Sequence, residues 1–363
     1  PFIILIVVVV FIHEYGHYYF AKKYGVGVTD FSIGFGKEIF GFNDKNGTRW
    51  KFCLIPLGGY VKFFGDRNVF SQTEQEELLK KYNKEDQKKL FVTKPLYQRS
   101  LIVFGGPLAN FLLALLIFTL INIFVGKDFT QPKIEEITIN SPAEKAGLKK
   151  NDIIIGINNN KVESILEVST YINTNNSDKL NIEVLRNKKK ISLIAIPEII
   201  EAKDPLGNSI KKKIIGIKIG PANNDFNKEK LGPTKAIYYA VKEIWFVSKT
   251  TIQFVGSMFQ GKADTSQLGG PIKIAKISGQ VMEFGILAFF STIAYISISL
   301  GLINLFPIPL LDGGHLMFYF FEKILGRPLS QATQEGFFRI GLFLLLSLML
   351  FTTFSDLKDL GLF

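Results

Sequence analysis

Residues 1–23 read PFIILIVVVVFIHEYGHYYFAKK, an apolar run that carries two histidines and a glutamate in its second half. Its length is close to the ~20 residues with which a helix crosses a bilayer. Ionisable groups inside such a helix are expensive and mark function. His13 and His17 are four residues apart, so on a helix they share one face, one turn above the other, and their imidazoles converge on one metal ion. Glu14 reaches the open side of that metal, where it takes a proton from water whose pKa zinc brings towards ~7. With three histidines in the chain, a chance His-Glu-x-x-His has odds on the order of one in a thousand. A cleaved signal peptide fits poorly, because the run has no basic leader and no small-residue cleavage site. It opens on Pro1 rather than Met, so the natural start is expected upstream.

Three further apolar stretches, 101–125, 284–306 and 336–354, are long enough to span. The 363 residues are 47% hydrophobic yet 21% charged, with the charge lying between the apolar blocks. The expected fold is therefore a polytopic α-helical membrane protein of about four transmembrane helices, with a membrane-associated β-hairpin and an inserted α+β module. The net charge of +11 comes from lysines scattered beside apolar segments without any nucleic-acid motif, which points to anionic lipid and away from RNA or DNA. The single cysteine, Cys53, excludes an intrachain disulfide and a cysteine-rich zinc cluster.

The expected segments are 1–24 (first transmembrane helix), 25–99 (hairpin region and charged linker), 100–126 (second transmembrane helix) and 127–220 (soluble module). They continue with 221–282 (amphipathic membrane-surface segment), 283–315 (third transmembrane helix) and 316–363 (loop and fourth transmembrane helix). In the second segment, 50–56 and 60–64 alternate around Leu57-Gly58-Gly59 and read as a hairpin with a glycine turn. Gly34-Phe35-Gly36 lets the chain bend tightly, and 72–94 reads as a solvated helix or linker. Gly105-Gly106-Pro107-Leu108-Ala109-Asn110 opens the second span, its small residues permitting close helix approach and its proline suiting a first helical turn. Across 127–200 short β-branched runs alternate with helical ones, and Ser141 and Gly147 bracket a short helix as cap and stop. The stripe of apolar and aromatic residues over 234–259, broken by lysines, reads as an amphipathic helix on the membrane surface.

A catalytic zinc takes a third protein ligand. His315 and Asp312, both in Leu311-Asp312-Gly313-Gly314-His315, are the candidates, and Pro307 and Pro309 break the helix ahead of them. An aspartate near the membrane core calls for a cation.

Taken in order, His-Glu-x-x-His, Gly34-Phe35-Gly36, Pro56-Leu57-Gly58-Gly59-Tyr60 and Gly105–Asn110 are followed by Leu268-Gly269-Gly270-Pro271-Ile272 and Asn304…Asp312-Gly313-Gly314. This series resembles the site-two protease family of intramembrane zinc metalloproteases, closest to its bacterial regulator of sigma-E protease branch. The 127–200 segment resembles a PDZ domain, with Asn151 where glycine is commoner. The resemblance implies Zn2+ held by His13, His17 and Asp312, with His315 outside the first shell, and Glu14 as the catalytic base. It implies substrate contacts at Asn304, Gly34, Phe35, Gly36, Gly58 and Gly59. The implied substrates are transmembrane helices of membrane proteins, such as anti-sigma factors or remnant signal peptides, in a lipid bilayer. A peptide or protein is the implied ligand of the PDZ-like module, an edge-binding fold. One module stands where better-known bacterial members have two.

Lys22, Lys23, Lys88, Lys89, Lys94, Arg99, Lys323 and Arg327 crowd one side of the spans; Lys127, Lys133, Lys273, Lys276 and Lys358 fall on the other. The denser side is expected in the cytoplasm of a bacterial inner membrane, with the active site towards it and the PDZ-like module periplasmic. A catalytically inactive, metal-bound PDZ scaffold is the competing reading, and Glu14 argues against it because a scaffold has no use for a base between its ligands. A transporter fits worse, since no internal repeat is visible.

Overall fold

The computed structural model describes residues 1–66, 79–175, 177–203, 209–222, 227–261 and 269–359. Its elements begin α1 (Phe2–Lys23), β1 (Val28–Asn43), β2 (Arg49–Phe63), α2 (Lys84–Gln87), α3 (Leu96–Phe124) and β3 (Lys127–Asp128). They continue β4 (Pro132–Ile137), α4 (Pro142–Lys145), β5 (Ile153–Ile157), β6 (Asn160–Lys161), α5 (Ile165–Asn173), β7 (Leu180–Arg186) and β8 (Lys189–Ala195). Then come β9 (Glu198–Lys203), β10 (Ser209–Ile214), β11 (Ile217–Pro221), β12 (Lys228–Glu229) and α6 (Pro233–Phe259). Four helices close the chain: α7 (Pro271–Glu283), α8 (Ile286–Asn304), α9 (Asp312–Leu325) and α10 (Gln331–Asp359). The chain divides into two compact units, Pro1–Ile117 with Gly270–Phe363, and Phe118–Gly269.

In the first unit, α1, α3, α8 and residues Ala332–Lys358 of α10 are long and apolar enough to cross a membrane. Half of the most apolar window of α3 is buried, against 11% of that of α10, so α3 is the helix others pack on. It starts at Leu96 and carries Pro107 inside it, so the proline does not open the helix as the Gly105–Asn110 motif suggests. A spanning helix tolerates such a proline when neighbours take up the freed backbone groups. Gly16 and Gly105 meet where α1 crosses α3: a Cβ on Gly16 would lie 2.1 Å from the Gly105 carbonyl oxygen. Arg99 at the start of α3 grips Glu322 of α9 with two N–H groups, at 2.5 and 3.1 Å.

The strands of this unit differ from the expected hairpin. Residues 50–56 and 60–64 do not pair with each other across Leu57-Gly58-Gly59. Both flank β1: Phe31 lies opposite Val61 on one edge and opposite Trp50 on the other, and Ile33 opposite Gly59 and Phe52. The tight reversal is at residues 44–48, where the Asp44 carboxylate accepts from Asn46 N–H and Thr48 N–H, both at 2.8 Å. The physical reason is burial. Inserting the first half of β1 between the two halves of β2 covers Phe31, which is 1% exposed and stacks on Trp50 with ring centroids 4.2 Å apart. Beyond this sheet, the outer part of the ribbon exposes Ile39, Phe40, Phe42 and Leu54.

Asp356 of α10 is buried and accepts from the backbone N–H of Gly270, Ile272 and Lys273, at 3.0–3.1 Å. A carboxylate satisfying the orphan donors of a helix N-terminus is a strong cap. Leu268, the first residue of that motif, lies outside the described residues.

The second unit is built on an antiparallel sheet in the order β11-β4-β5-β7-β8, with β6 paired to β5. Ile134, Ile154, Ile157, Leu180, Ile182, Val184, Val168 and Ile172 form its core. Ser141 caps α4 by accepting from Glu144 N–H at 3.3 Å. Asp152, fully buried, takes two 2.7 Å bonds from Arg186. Lys242 and Lys249 of α6 bind Glu163 and Asn160, each at 2.7 Å. The same helix exposes Ile237, Tyr238, Val241, Trp245 and Ile252.

Candidate active site

His13, Glu14 and Gly16 are buried on one face of α1. Asp312 is the first residue of α9, reached by an irregular segment after α8 ends at Asn304. Within that segment Leu310 has φ +82°, a left-handed conformation that a branched residue adopts at a cost of about 1–2 kcal/mol. Such strain persists where surrounding structure enforces it, commonly at functional sites. The result brings the two ends of the chain together. His13 Nε2 lies 3.3 Å from His17 Nε2 and 3.3 Å from Asp312 Oδ2, and His17 Nε2 lies 3.5 Å from Asp312 Oδ1.

These separations can be compared with a known geometry. Ligand atoms at ~2.0–2.1 Å from a tetrahedral zinc are about 3.3–3.4 Å apart. His13, His17 and Asp312 form a group able to hold a metal ion. Asp312 Oδ2 is buried and, among the described residues, makes no well-formed hydrogen bond, its neighbour being His13 Nε2 at 3.3 Å; a cation between these atoms relieves that costly state. The residues therefore fit zinc. His315, three residues on, is not in this group. Its ring packs instead against Phe318 and Phe338, with centroids 6.4 and 5.6 Å away.

Two backbones must come close for the site to exist. A Cβ on Gly106 would stand 2.3 Å from His17 Nε2 and 2.8 Å from His13 Cε1, so α3 passes the imidazoles only because this residue has no side chain. A Cβ on Gly59 would stand 2.9 Å from Glu14 Cγ, which places β2 directly against the glutamate. A cavity of about 630 Å³ opens here, lined by Glu14, Phe35, Gly59, Asn304, His315 and Phe338 among others. Gly58 also lines it, whereas Gly34 and Gly36 do not; they sit at the bend of β1 with φ +89° and +87°. Asn304 Nδ2 is 3.4 Å from His13 Nε2.

The family model described as peptidase family M50 matches residues 1–348. The chain belongs to peptidase family M50. A Mesorhizobium japonicum protein provisionally named a zinc metalloprotease is 39% identical over 360 residues, covering 98% of this chain and 97% of its own length. A Brucella suis protein of the same provisional name is 40% identical over 359 residues, 98% and 94% of the two chains. Metalloprotease MmpA of Caulobacter vibrioides is 34% identical over 377 residues, again 98% and 94%. The M50 protein described here is an intramembrane, zinc-dependent metalloprotease with several membrane passes.

Sequence motifs do not mark every residue at this site. Asn110 of α3 is fully buried with its side chain 3.2 Å from His13 Nδ1. The Ile102 carbonyl accepts from His17 Nδ1 at 2.9 Å. An amide in the middle of an apolar helix was the available signal for Asn110, since polar groups at that depth are costly without a partner. A backbone carbonyl leaves no signal in sequence.

Proposed function

We propose that His13, His17 and Asp312 hold the zinc, that Glu14 is the general base, and that the 630 Å³ cavity receives a locally unwound segment of a transmembrane substrate. One observation carries this reading. The Nε2 atoms of His13 and His17 lie 3.3 Å apart, each 3.3–3.5 Å from one oxygen of Asp312, which comes from the opposite end of the chain, beside a glutamate that faces the same cavity. The chemistry a bound zinc supplies is Lewis-acid polarisation of a carbonyl and acidification of water. Glu14 accepts the proton that water loses and returns it to the leaving amine. Its backing by Gly59 keeps the carboxylate on the cavity side of α1.

A substrate helix has its amides bonded internally, so it must open before its carbonyl is reachable. An edge of the β1–β2 ribbon supplies replacement backbone partners, with Phe35, Gly58 and Gly59 beside the exposed strand and Asn304 as a side-chain donor. The bends at Gly34 and Gly36 shape that edge. Substrates of this reading are single transmembrane helices, such as those of anti-sigma factors or leftover signal peptides.

The sheet and helices of the second unit act as one PDZ-like module that takes an extended peptide or protein tail. The exposed stripe of α6 rests on the lipid surface. Lysine and arginine asymmetry supports a bacterial inner-membrane protein with its active site towards the cytoplasm and the module on the periplasmic side. The ligand set is tested by metal analysis of purified variants. Asp312→Ala loses zinc and His315→Ala keeps it; equal loss in both contradicts the assignment.

A further inference from the structure

We infer that Asn110 is a positioning residue that selects which nitrogen of His13 is free for the metal. The inference rests on the reading of His13 as a ligand. The neighbouring histidine shows the principle. A carbonyl oxygen can only accept, so the 2.9 Å contact between His17 Nδ1 and the Ile102 oxygen fixes the proton of His17 on Nδ1. Its Nε2 lone pair is then directed at His13 and Asp312.

Among the described residues, no carbonyl plays that role for His13. Its Nδ1 meets the Asn110 side chain at 3.2 Å, and an amide can either donate or accept. With Nδ2 towards the ring, Nδ1 must offer its lone pair and the proton sits on Nε2, the atom that faces His17 and Asp312. The Asn110 oxygen is then left buried and, among the described residues, without a donor. Turned over, the amide fills the same volume. Its oxygen accepts from Nδ1–H, the orphaned acceptor is satisfied, and Nε2 becomes a free ligand atom. One rotation thus answers two separate deficits, an unpaired buried oxygen and a blocked metal ligand.

The surroundings hold the amide where it can do this. Asn110 is 0% exposed. Its backbone oxygen accepts from Ser297 Oγ of α8 at 2.9 Å, and Gly301 of α8 is so close that a Cβ there would lie 3.3 Å from Asn110 Cβ. A ring nitrogen opposite a metal commonly donates to such a partner, and loss of the partner weakens metal binding by about 10–100-fold.

The experiment uses the full chain in detergent as wild type, Asn110→Leu, Asn110→Asp and His13→Ala. Zinc affinity is read by competition with a chromophoric chelator, and the visible spectrum is read after cobalt substitution. Asn110→Leu keeps the size and apolar character that α3 needs but cannot accept a proton, and it is expected to bind zinc about 10–100-fold more weakly with an altered cobalt spectrum. Asn110→Asp retains an acceptor and is expected to stay within about three-fold of wild type. Wild-type affinity and spectrum in Asn110→Leu, while His13→Ala loses zinc, overturn the inference alone. An equal fall in the leucine and aspartate variants also overturns it, because packing would then be the cause. Wild-type zinc binding in His13→Ala overturns the ligand reading and the inference together.

Discussion

On β7 of the second unit, Leu180, Ile182 and Val184 are buried and the residues between them are not, because alternate side chains of a strand point to one face. On α1 of the first unit, Leu5, Val9, His13 and Gly16 are buried, while Ile3, Ile4, Tyr15 and Tyr19 are exposed. Both faces of α1 are rich in apolar or aromatic groups, so hydrophobicity does not say which faces the protein. Water sorts the module's residues by polarity; lipid does not sort those of α1. In the helical unit the inward face is marked by what lipid tolerates badly or helices need for contact: His13, Glu14 and Gly16 on α1, Gly105, Gly106 and Asn110 on α3.

Damage in the two units therefore has different consequences. Ile182→Ala removes a fully buried side chain from the β-rich core and is expected to cost about 2–5 kcal/mol. Chemical unfolding of the module should record that loss while zinc content stays at wild type. Arg186→Ala leaves the Asp152 carboxylate, 1% exposed, without its charged partner. Its expected cost is about 3 kcal/mol, with zinc again retained. Gly106→Ala reverses the pattern. Overpacking costs about 1–3 kcal/mol, yet the new methyl group occupies the space of the His17 ring, so bound zinc should fall sharply. Full zinc in Gly106→Ala would mean that α3 yields more easily than its contacts imply.

A last effect, read in pH, concerns Asp66, which follows β2 and lines the cavity. Burial raises its carboxyl from 3.8 to about 7, against the opposing pull of the Phe63 N–H and Lys62. The folded state therefore favours the protonated form. Its contribution to stability is complete below about pH 4 and is lost as pH rises to about 7. Thermal unfolding across this range should show a decline that Asp66→Asn removes.

Much of the candidate site is legible in the sequence. His13, Glu14 and His17 stand out because helical spacing and the cost of ionisable groups in lipid agree on them. The four spans stand out by length, although α3 begins several residues earlier than its apolar run. Asp312 and His315 could not be separated by residue type; the left-handed Leu310 and the packing of His315 on Phe338 separate them in space. The strand pairing differs from the expected hairpin because alternation locates strands without naming their partners. Residues 50–56 and 60–64 alternate equally well whether they pair with each other or enclose β1, and only the burial of Phe31 distinguishes the two. Asn110 lay inside a noted motif, but its partner sits 97 residues away, and no local pattern reports such a contact.

The central claim is that Glu14 performs the proton chemistry beside a zinc held by other side chains. Its most direct test is cleavage of a model transmembrane substrate in detergent by Glu14→Gln protein, with bound zinc measured on the same sample. The expected result is a full complement of zinc and no product. Product formed at the wild-type rate by a zinc-loaded Glu14→Gln protein would contradict it.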